Sequence, residues 1–178
     1  MNISWTKIKE ERYKARAGYR KLITKTFDYP NGHKAEYDIL DDNGAVCVLV
    51  LTPKSDVIMV KVYRPGPEKV LMEMPGGFID IHEDPQTAVE RELIEETGYE
   101  GEIEFVGKTY DDAYSNMVRY CYISRNSKKI KEPNWDDDEG SMEIVKISLS
   151  EFRKHLKTGE MTDVEVGYLC LDYLNLLW

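Results

Sequence analysis

GFIDIHEDPQTAVERELIEETGY, residues 77–99, is the stretch whose reading decides this chain. Five residues separate Gly77 from Glu83, and seven more lead to Arg91-Glu92-Leu93, followed by Glu95-Glu96 and Gly98-Tyr99. Asp84-Pro85 has the form of an N-cap followed by proline at the first helical position. Gly98 has the form of the C-terminal stop, where a left-handed residue is favoured. The segment between them predicts a helix over residues 85–97, with Ala88, Val89 and Leu93 as its apolar contacts. Glu92, Glu95 and Glu96 are then related by i, i+3 and i+4 and share one face. Like charges stacked this way repel, and a purely structural helix gains nothing from them. A divalent cation removes the penalty, and an all-carboxylate set points to Mg²⁺ or Mn²⁺ rather than zinc.

The flanking residues strengthen that reading. A glutamate-rich helix alone is usually a solvated face. Here Met74-Pro75-Gly76-Gly77-Phe78 precedes it, and two glycines let backbone approach closely and turn tightly. The Gly76 carbonyl is expected to face the metal. Arg91 is placed to pin a neighbouring carboxylate, and Glu83 to accept hydrogen bonds from Arg91 or the loop.

Composition narrows the classes. A chain of 178 residues with 42% hydrophobic content reads as one globular domain with a full core. The net charge of −9 argues against a basic nucleic-acid groove. It does not argue against a phosphorylated small molecule, because a bound metal inverts the local sign. Cys47, Cys121 and Cys170 lie far apart without metal-ligand spacing and read as buried thiols in a reducing cytoplasm. The opening MNISWTKIKEERYK has no apolar run of the signal-peptide kind, and no stretch is long enough to span a bilayer, so a cytoplasmic protein without a membrane partner is expected.

Along the chain, Pro30-Asn31-Gly32 between β-prone runs at 17–29 and 33–40 is a hairpin signal. AVCVLVLT, from Ala45 to Thr52, is a continuous apolar run that reads as a buried strand, and Asp56 to Tyr63 as another. Lys69 to Met74, Glu102 to Tyr110, Met117 to Ser124 and Glu143 to Ser148 continue the strand pattern. Residues 125–142 are polar and read as a long loop. Ser150 is expected to start a helix, and Thr162-Asp163 to cap a last one running through the apolar C-terminus.

With these residues in view, residues 77–99 are identified as resembling the Nudix box of the Nudix hydrolases, every fixed position being present; Tyr99 stands where an aliphatic residue is more usual. The resemblance implies an α+β fold, a mixed β-sheet sandwiched between helices. It implies Mg²⁺- or Mn²⁺-dependent hydrolysis of nucleoside diphosphates linked to another group. It makes Glu92, Glu95 and Glu96, with the Gly76 carbonyl, the metal ligands. Arg91 and Glu83 become the supporting pair, with Gly77 and Gly98 as structural positions. GYRKLITKTFDYPNGHKAEYDIL followed by VYRPGPEKVLMEMPGGFID further resembles the ADP-ribose pyrophosphatase branch. That branch implies an N-terminal antiparallel β extension over residues 1–40 that embraces a second subunit, a hydrolase domain over 41–178, and a homodimer. It also implies that Arg64, in Tyr-Arg-Pro, contacts substrate phosphates or ribose.

Hydrolysis needs a base near the attacking water. The branch takes it from a distal acidic loop, which here reads Asp136-Asp137-Asp138-Glu139-Gly140-Ser141-Met142-Glu143, so Glu139 is the first choice and Glu143 the second. The helix itself offers Glu95. Trp5, Tyr19 and Phe27 offer aromatic faces to a purine but are more often core. One region departs from the branch: its Ser-Pro-Gly and following Glu are replaced within Tyr110 to Met117. Tyr114 lies near where dinucleoside polyphosphate hydrolases place a tyrosine. The leading expectation is cleavage of ADP-ribose or a related nucleoside diphosphate sugar to a nucleoside monophosphate and a sugar phosphate. The alternatives are a dinucleoside polyphosphate or modified-nucleotide hydrolase, and a non-catalytic nucleotide sensor, which would have little need for three metal carboxylates.

Overall fold

A computed structural model describes residues 4–17, 20–135 and 142–177. Two units are distinguished by their internal contacts: Met1–Asn43 with Tyr110–Val118, and Gly44–Thr109 with Arg119–Trp178.

The first unit is a three-stranded antiparallel sheet of β1 (Thr6–Lys14), β2 (Lys21–Asp28) and β3 (Lys34–Leu40), in that order. The expected hairpin is there. Tyr29 N donates to the His33 carbonyl at 2.8 Å, and Gly32 takes the left-handed φ of 81° that the turn requires. The 110–118 segment joins this unit at the end of β3. Leu40 N donates to Tyr114 O (2.8 Å) and Asn116 N to Leu40 O (3.0 Å). Trp5 lies with Phe27, Tyr29 and Tyr37 in one aromatic cluster, and the Tyr114 ring stands 5.9 Å from that of Tyr37. Tyr19 lies outside the described residues.

The second unit is built on a mixed sheet. Its strands are β4 (Ala45–Leu51), β5 (Asp56–Arg64), β6 (Lys69–Glu73), β7 (Gly76–Phe78), β8 (Tyr99–Tyr110), β9 (Val118–Lys129) and β10 (Glu143–Ser148). The main order is β10-β5-β4-β9-β8, with β4 and β9 parallel. Its helices are α1 (Pro85–Thr97), α2 (Leu149–Leu156) and α3 (Val164–Tyr173). β4 is buried along its whole length, which is why its sequence shows no polar alternation. Its side chains still alternate between faces. Cys47, Leu49 and Leu51 pack with Phe152, Leu156, Val166 and Leu171 of α2 and α3. Val46, Val48 and Val50 pack with Ala88, Val89 and Leu93 of α1. The sheet is therefore sandwiched between helices, as expected, and each fully buried aliphatic chain stabilises it by about 1.5–3 kcal/mol.

One feature of this sheet builds the site. β4 and β5 pair only at Val50↔Ile58 and Leu51↔Val57. Beyond that they part, and the gap is filled from one connection. β6 pairs with the end of β5. β7 pairs with the start of β4. Pro75 O, between them, accepts from Val48 N at 2.9 Å. The glycine pair is thus held as a short strand inside the opening rather than as a free loop.

Boundaries differ from the sequence expectation at β8, which begins at Tyr99 rather than Glu102, and at β9 and α3. β9 runs on to Lys129, beyond residue 124, because its polar residues satisfy one another: Ser124 Oγ and Ser127 Oγ are 2.7 Å apart and buried. α3 stops at Tyr173. Asn175 turns left-handed at φ 57°, Leu176 N bonds back to Leu171 O at 2.8 Å, and Leu176 and Leu177 fold against the core. Cys47, Cys121 and Cys170 are buried and free. Burial pushes the Cys121 thiol up to about 11 and that of Cys170 up to about 12, so neither offers a thiolate at neutral pH. Among the described residues no helix is long and apolar enough to cross a membrane.

Candidate active site

The acidic helix is set by its ends. Asp84 accepts from Gln86 N (3.0 Å) and Thr87 N (3.1 Å), Pro85 follows, and Gly98 closes the helix at φ 70° with its N–H on Ile94 O (2.9 Å). Ala88, Val89 and Leu93 are buried against β4, and this fixes which way the glutamates point.

Glu92 and Glu96 are only 8% and 4% exposed, whereas Glu95 is half-buried. Both buried carboxylates look onto the glycine strand. Glu96 Oε2 accepts from Gly76 N at 2.9 Å. A Cβ on Gly77 would stand 2.4–2.8 Å from the three carboxylate atoms of Glu92, so the carboxylate occupies the space a side chain would need. It is the Gly76 amide, rather than its carbonyl, that meets Glu96.

Arg91 ties the group together. Its Nε and Nη2 donate to the two oxygens of Glu83 (2.9 and 3.0 Å), and its Nη1 to Glu92 Oε1 (2.8 Å) and Glu95 Oε2 (3.0 Å). Nη2 also reaches the Phe78 carbonyl at 3.1 Å, fastening the helix to β7. The Arg91 hydrogen bond holds the Glu83 carboxyl below the usual range, against the raising effect of burial. Glu83, Glu92 and Glu95 share this guanidinium, and Glu96 lies one turn on from Glu92 on the same helix face. Glu92 and Glu96 are taken out of water, which is costly for a charged carboxylate.

This cluster of carboxylates, hard oxygen donors with no thiolate or imidazole beside them among the described residues, fits a divalent cation of the Mg²⁺ type. Among the described residues, no three acidic, histidine or cysteine side chains are already gathered about one point. Glu92 and Glu95 turn instead to Arg91, and Glu96 to the Gly76 amide.

The C-terminal end of α1 is closed by a segment the sequence did not single out. Ile130 N donates to Gly98 O (2.8 Å), Asn134 N to Glu95 O (2.8 Å) and Trp135 Nε1 to Glu96 O (2.9 Å). Carbonyls that a helix end leaves without partners are thereby satisfied at the residues that carry the acidic side chains. Trp135→Phe keeps the ring and removes the donor. It is expected to lower stability by about 1–2 kcal/mol, read by urea unfolding, because the Glu96 carbonyl loses its partner. An unchanged midpoint would show that water replaces the indole without cost.

The remaining predicted residues are placed as follows. Arg64, the last residue of β5, donates through Nε (2.7 Å) and Nη2 (2.6 Å) to Glu73 Oε2. Glu143 opens β10 and is exposed, with both oxygens 3.3 Å from Lys61 Nζ. Tyr114 belongs to the first unit. Glu139 lies outside the described residues. Glu73 and Trp135 were missed. The signal for Glu73 was a charged residue inside the apolar strand VLMEM, which demands a buried partner; Trp135 carried no local signal.

Comparison with known proteins gives a family match and likenesses to relatives of known activity and to solved structures. A sequence model described as the NUDIX domain matches residues 42–166. The chain is 30% identical over 159 residues to the methanol dehydrogenase activator of Bacillus methanolicus, covering 88% of this chain and 85% of that protein. It is 26% identical over 157 residues to an ADP-ribose pyrophosphatase of Bacillus subtilis (strain 168), covering 87% and 84%. A crystal structure described as an ADP compounds hydrolase shares its fold at a TM-score of 0.80, over 98% of this chain and 97% of the other, with 19% identity.

Proposed function

The chain belongs to the Nudix family and is a pyrophosphohydrolase; on that premise we propose that it hydrolyses ADP-ribose or a related nucleoside diphosphate sugar. The products are a nucleoside monophosphate and a sugar phosphate. One observation carries the reading: the carboxylates of Glu92 and Glu96 are buried side by side against the Gly76-Gly77 strand, on the helix face that also carries Glu95. The ADP-ribose pyrophosphatase relative supports the choice of substrate class.

Each residue has a role in that chemistry. Glu92, Glu95 and Glu96 hold Mg²⁺ or Mn²⁺. When bound, such an ion neutralises diphosphate oxygens and acidifies a water. Arg91 keeps Glu92 and Glu95 together and joins them to Glu83 and the Phe78 carbonyl, so the carboxylates are positioned before substrate arrives. Arg64 offers a guanidinium to phosphate oxygens. Glu139 is the proposed base. Of the other choices, Glu143 is engaged by Lys61 and Glu95 by Arg91. Glu139→Gln is expected to lower kcat by roughly a hundredfold with metal affinity unchanged; a full-rate variant moves the base elsewhere.

The decisive experiment is a substrate panel with Mg²⁺ or Mn²⁺, following phosphate released by phosphatase from the products. ADP-ribose and other nucleotide sugars are expected to turn over, and chelation to stop it. Turnover of diadenosine compounds or oxidised triphosphates alone would overturn the substrate class. Tight nucleotide binding without turnover would favour a sensor. The dinucleoside polyphosphate reading has one observation in its favour, the exposed ring of Tyr114 beside Tyr37. A homodimer formed through the β1–β3 sheet and a cytoplasmic location with reduced thiols complete the proposal. Light scattering at micromolar concentration tests the first, and a monomer there would end it.

A further inference from the structure

Glu73 is the most deeply buried carboxylate among the described residues, 1% exposed, and it sits next to the glycine strand. Its two oxygens are divided between two elements. Oε1 accepts from Thr162 N (3.2 Å), just ahead of α3, and Oε2 from Nε and Nη2 of Arg64 (2.7 and 2.6 Å). Register allows the meeting: β5 and β6 pair through Arg64↔Lys69 and Val60↔Glu73, so Arg64, four residues beyond Val60, lies on the same face as Glu73 and its long side chain can reach back to it.

The guanidinium is planar, with its donors in a rigid fork. Held by Nε and Nη2, it cannot swing, and its opposite edge, with Nη1, faces away from Glu73. The Arg64 side chain remains 39% exposed. Burial works against its charge, but the hydrogen bond and charge of Glu73 outweigh that, and Glu96 adds to the effect. The charge of the acidic helix is thus felt at Arg64.

We propose that Glu73 is a positioning residue, which pins one edge of Arg64 so that the other meets a diphosphate oxygen of the substrate. This rests on the pyrophosphohydrolase reading, and it adds a requirement that reading does not contain. A carboxylate that serves only the fold has no reason to matter through residue 64.

The test is a double-mutant cycle on the full chain, read as the calorimetric Kd for inorganic pyrophosphate with Mg²⁺. The proteins are wild type, Glu73→Gln, Arg64→Gln and the double variant. Each single change is expected to weaken binding roughly ten- to a hundredfold, and the double variant to be no weaker than Arg64→Gln. Effects that multiply, or wild-type affinity in Glu73→Gln, would overturn the proposal, since loss of a purely structural carboxylate lowers the melting temperature but acts independently of residue 64. Should Glu73→Gln fail to fold, Glu73→Asp replaces it in the cycle, its carboxylate withdrawn by one methylene. The pyrophosphate readout does not need the natural substrate. Intact coupling with no nucleotide sugar turned over would refute the substrate proposal alone, and turnover without coupling would refute only the role of Glu73.

Discussion

Glu96→Gln is expected to reduce kcat with Mg²⁺ by roughly a thousandfold while the protein stays folded. The side chain is buried, and Oε2 takes the Gly76 amide at 2.9 Å. A glutamine oxygen can accept that same bond, so β7 remains tied to α1. What disappears is a full negative charge at the most enclosed position of the acidic face. A hard cation bound by oxygen loses a strong ligand, and the diphosphate loses its neutralising partner. Steady-state kinetics with ADP-ribose, alongside a thermal melt, separates the two effects. Near-normal turnover with Mg²⁺ would remove Glu96 from the metal site.

Substituting the two glycines is expected to give opposite failures. In Gly76→Ala the new Cβ would stand 2.2 Å from Val46 O and 2.9 Å from Cys47 Cα. Those are backbone atoms of the buried central strand and cannot yield. β7 must come off β4, and the expected loss is about 3 kcal/mol or more. In Gly77→Ala the Cβ meets the carboxylate of Glu92 at 2.4–2.8 Å, the end of a side chain that can rotate. The fold is expected to persist while Glu92 is pushed out of place, so activity falls and Mg²⁺ dependence weakens. Melting temperature and turnover measured on both variants check the contrast. A stable Gly76→Ala, or a fully active Gly77→Ala, would show that the opening between β4 and β5 is looser than its packing implies.

Both predictions rest on residues that could be named before any coordinates. Asp84-Pro85 and Gly98 bound the helix where expected. Glu83 and Arg91 pair as foreseen, though Arg91 does more than a single pairing: it also holds Glu92, Glu95 and the Phe78 carbonyl. The glycine strand carries no strand signal, because two glycines in three residues lower β propensity and leave no alternation to read. It becomes a strand only because β4 offers it an unoccupied edge. Residues 125–129 were read as loop for a similar reason: serine, asparagine and lysine suggest solvent until Ser124 and Ser127 are seen to satisfy each other.

Helical spacing alone puts Glu92, Glu95 and Glu96 on one face, since i, i+3 and i+4 follow from 3.6 residues per turn, and the caps, the apolar stripe and the metal-compatible donor set are equally local. Strand pairing and loop return are not local. The meeting of Glu73 with Arg64 depends on β5 leaving β4 to take β6. The closure of the helix by Asn134 and Trp135, and the attachment of Tyr110–Val118 to the first unit, likewise depend on where distant segments come back. Chain chemistry chose the acidic face. Tertiary packing decided which glutamates lose their water and which cations stand beside them, because burial belongs to neighbours brought together by the whole fold.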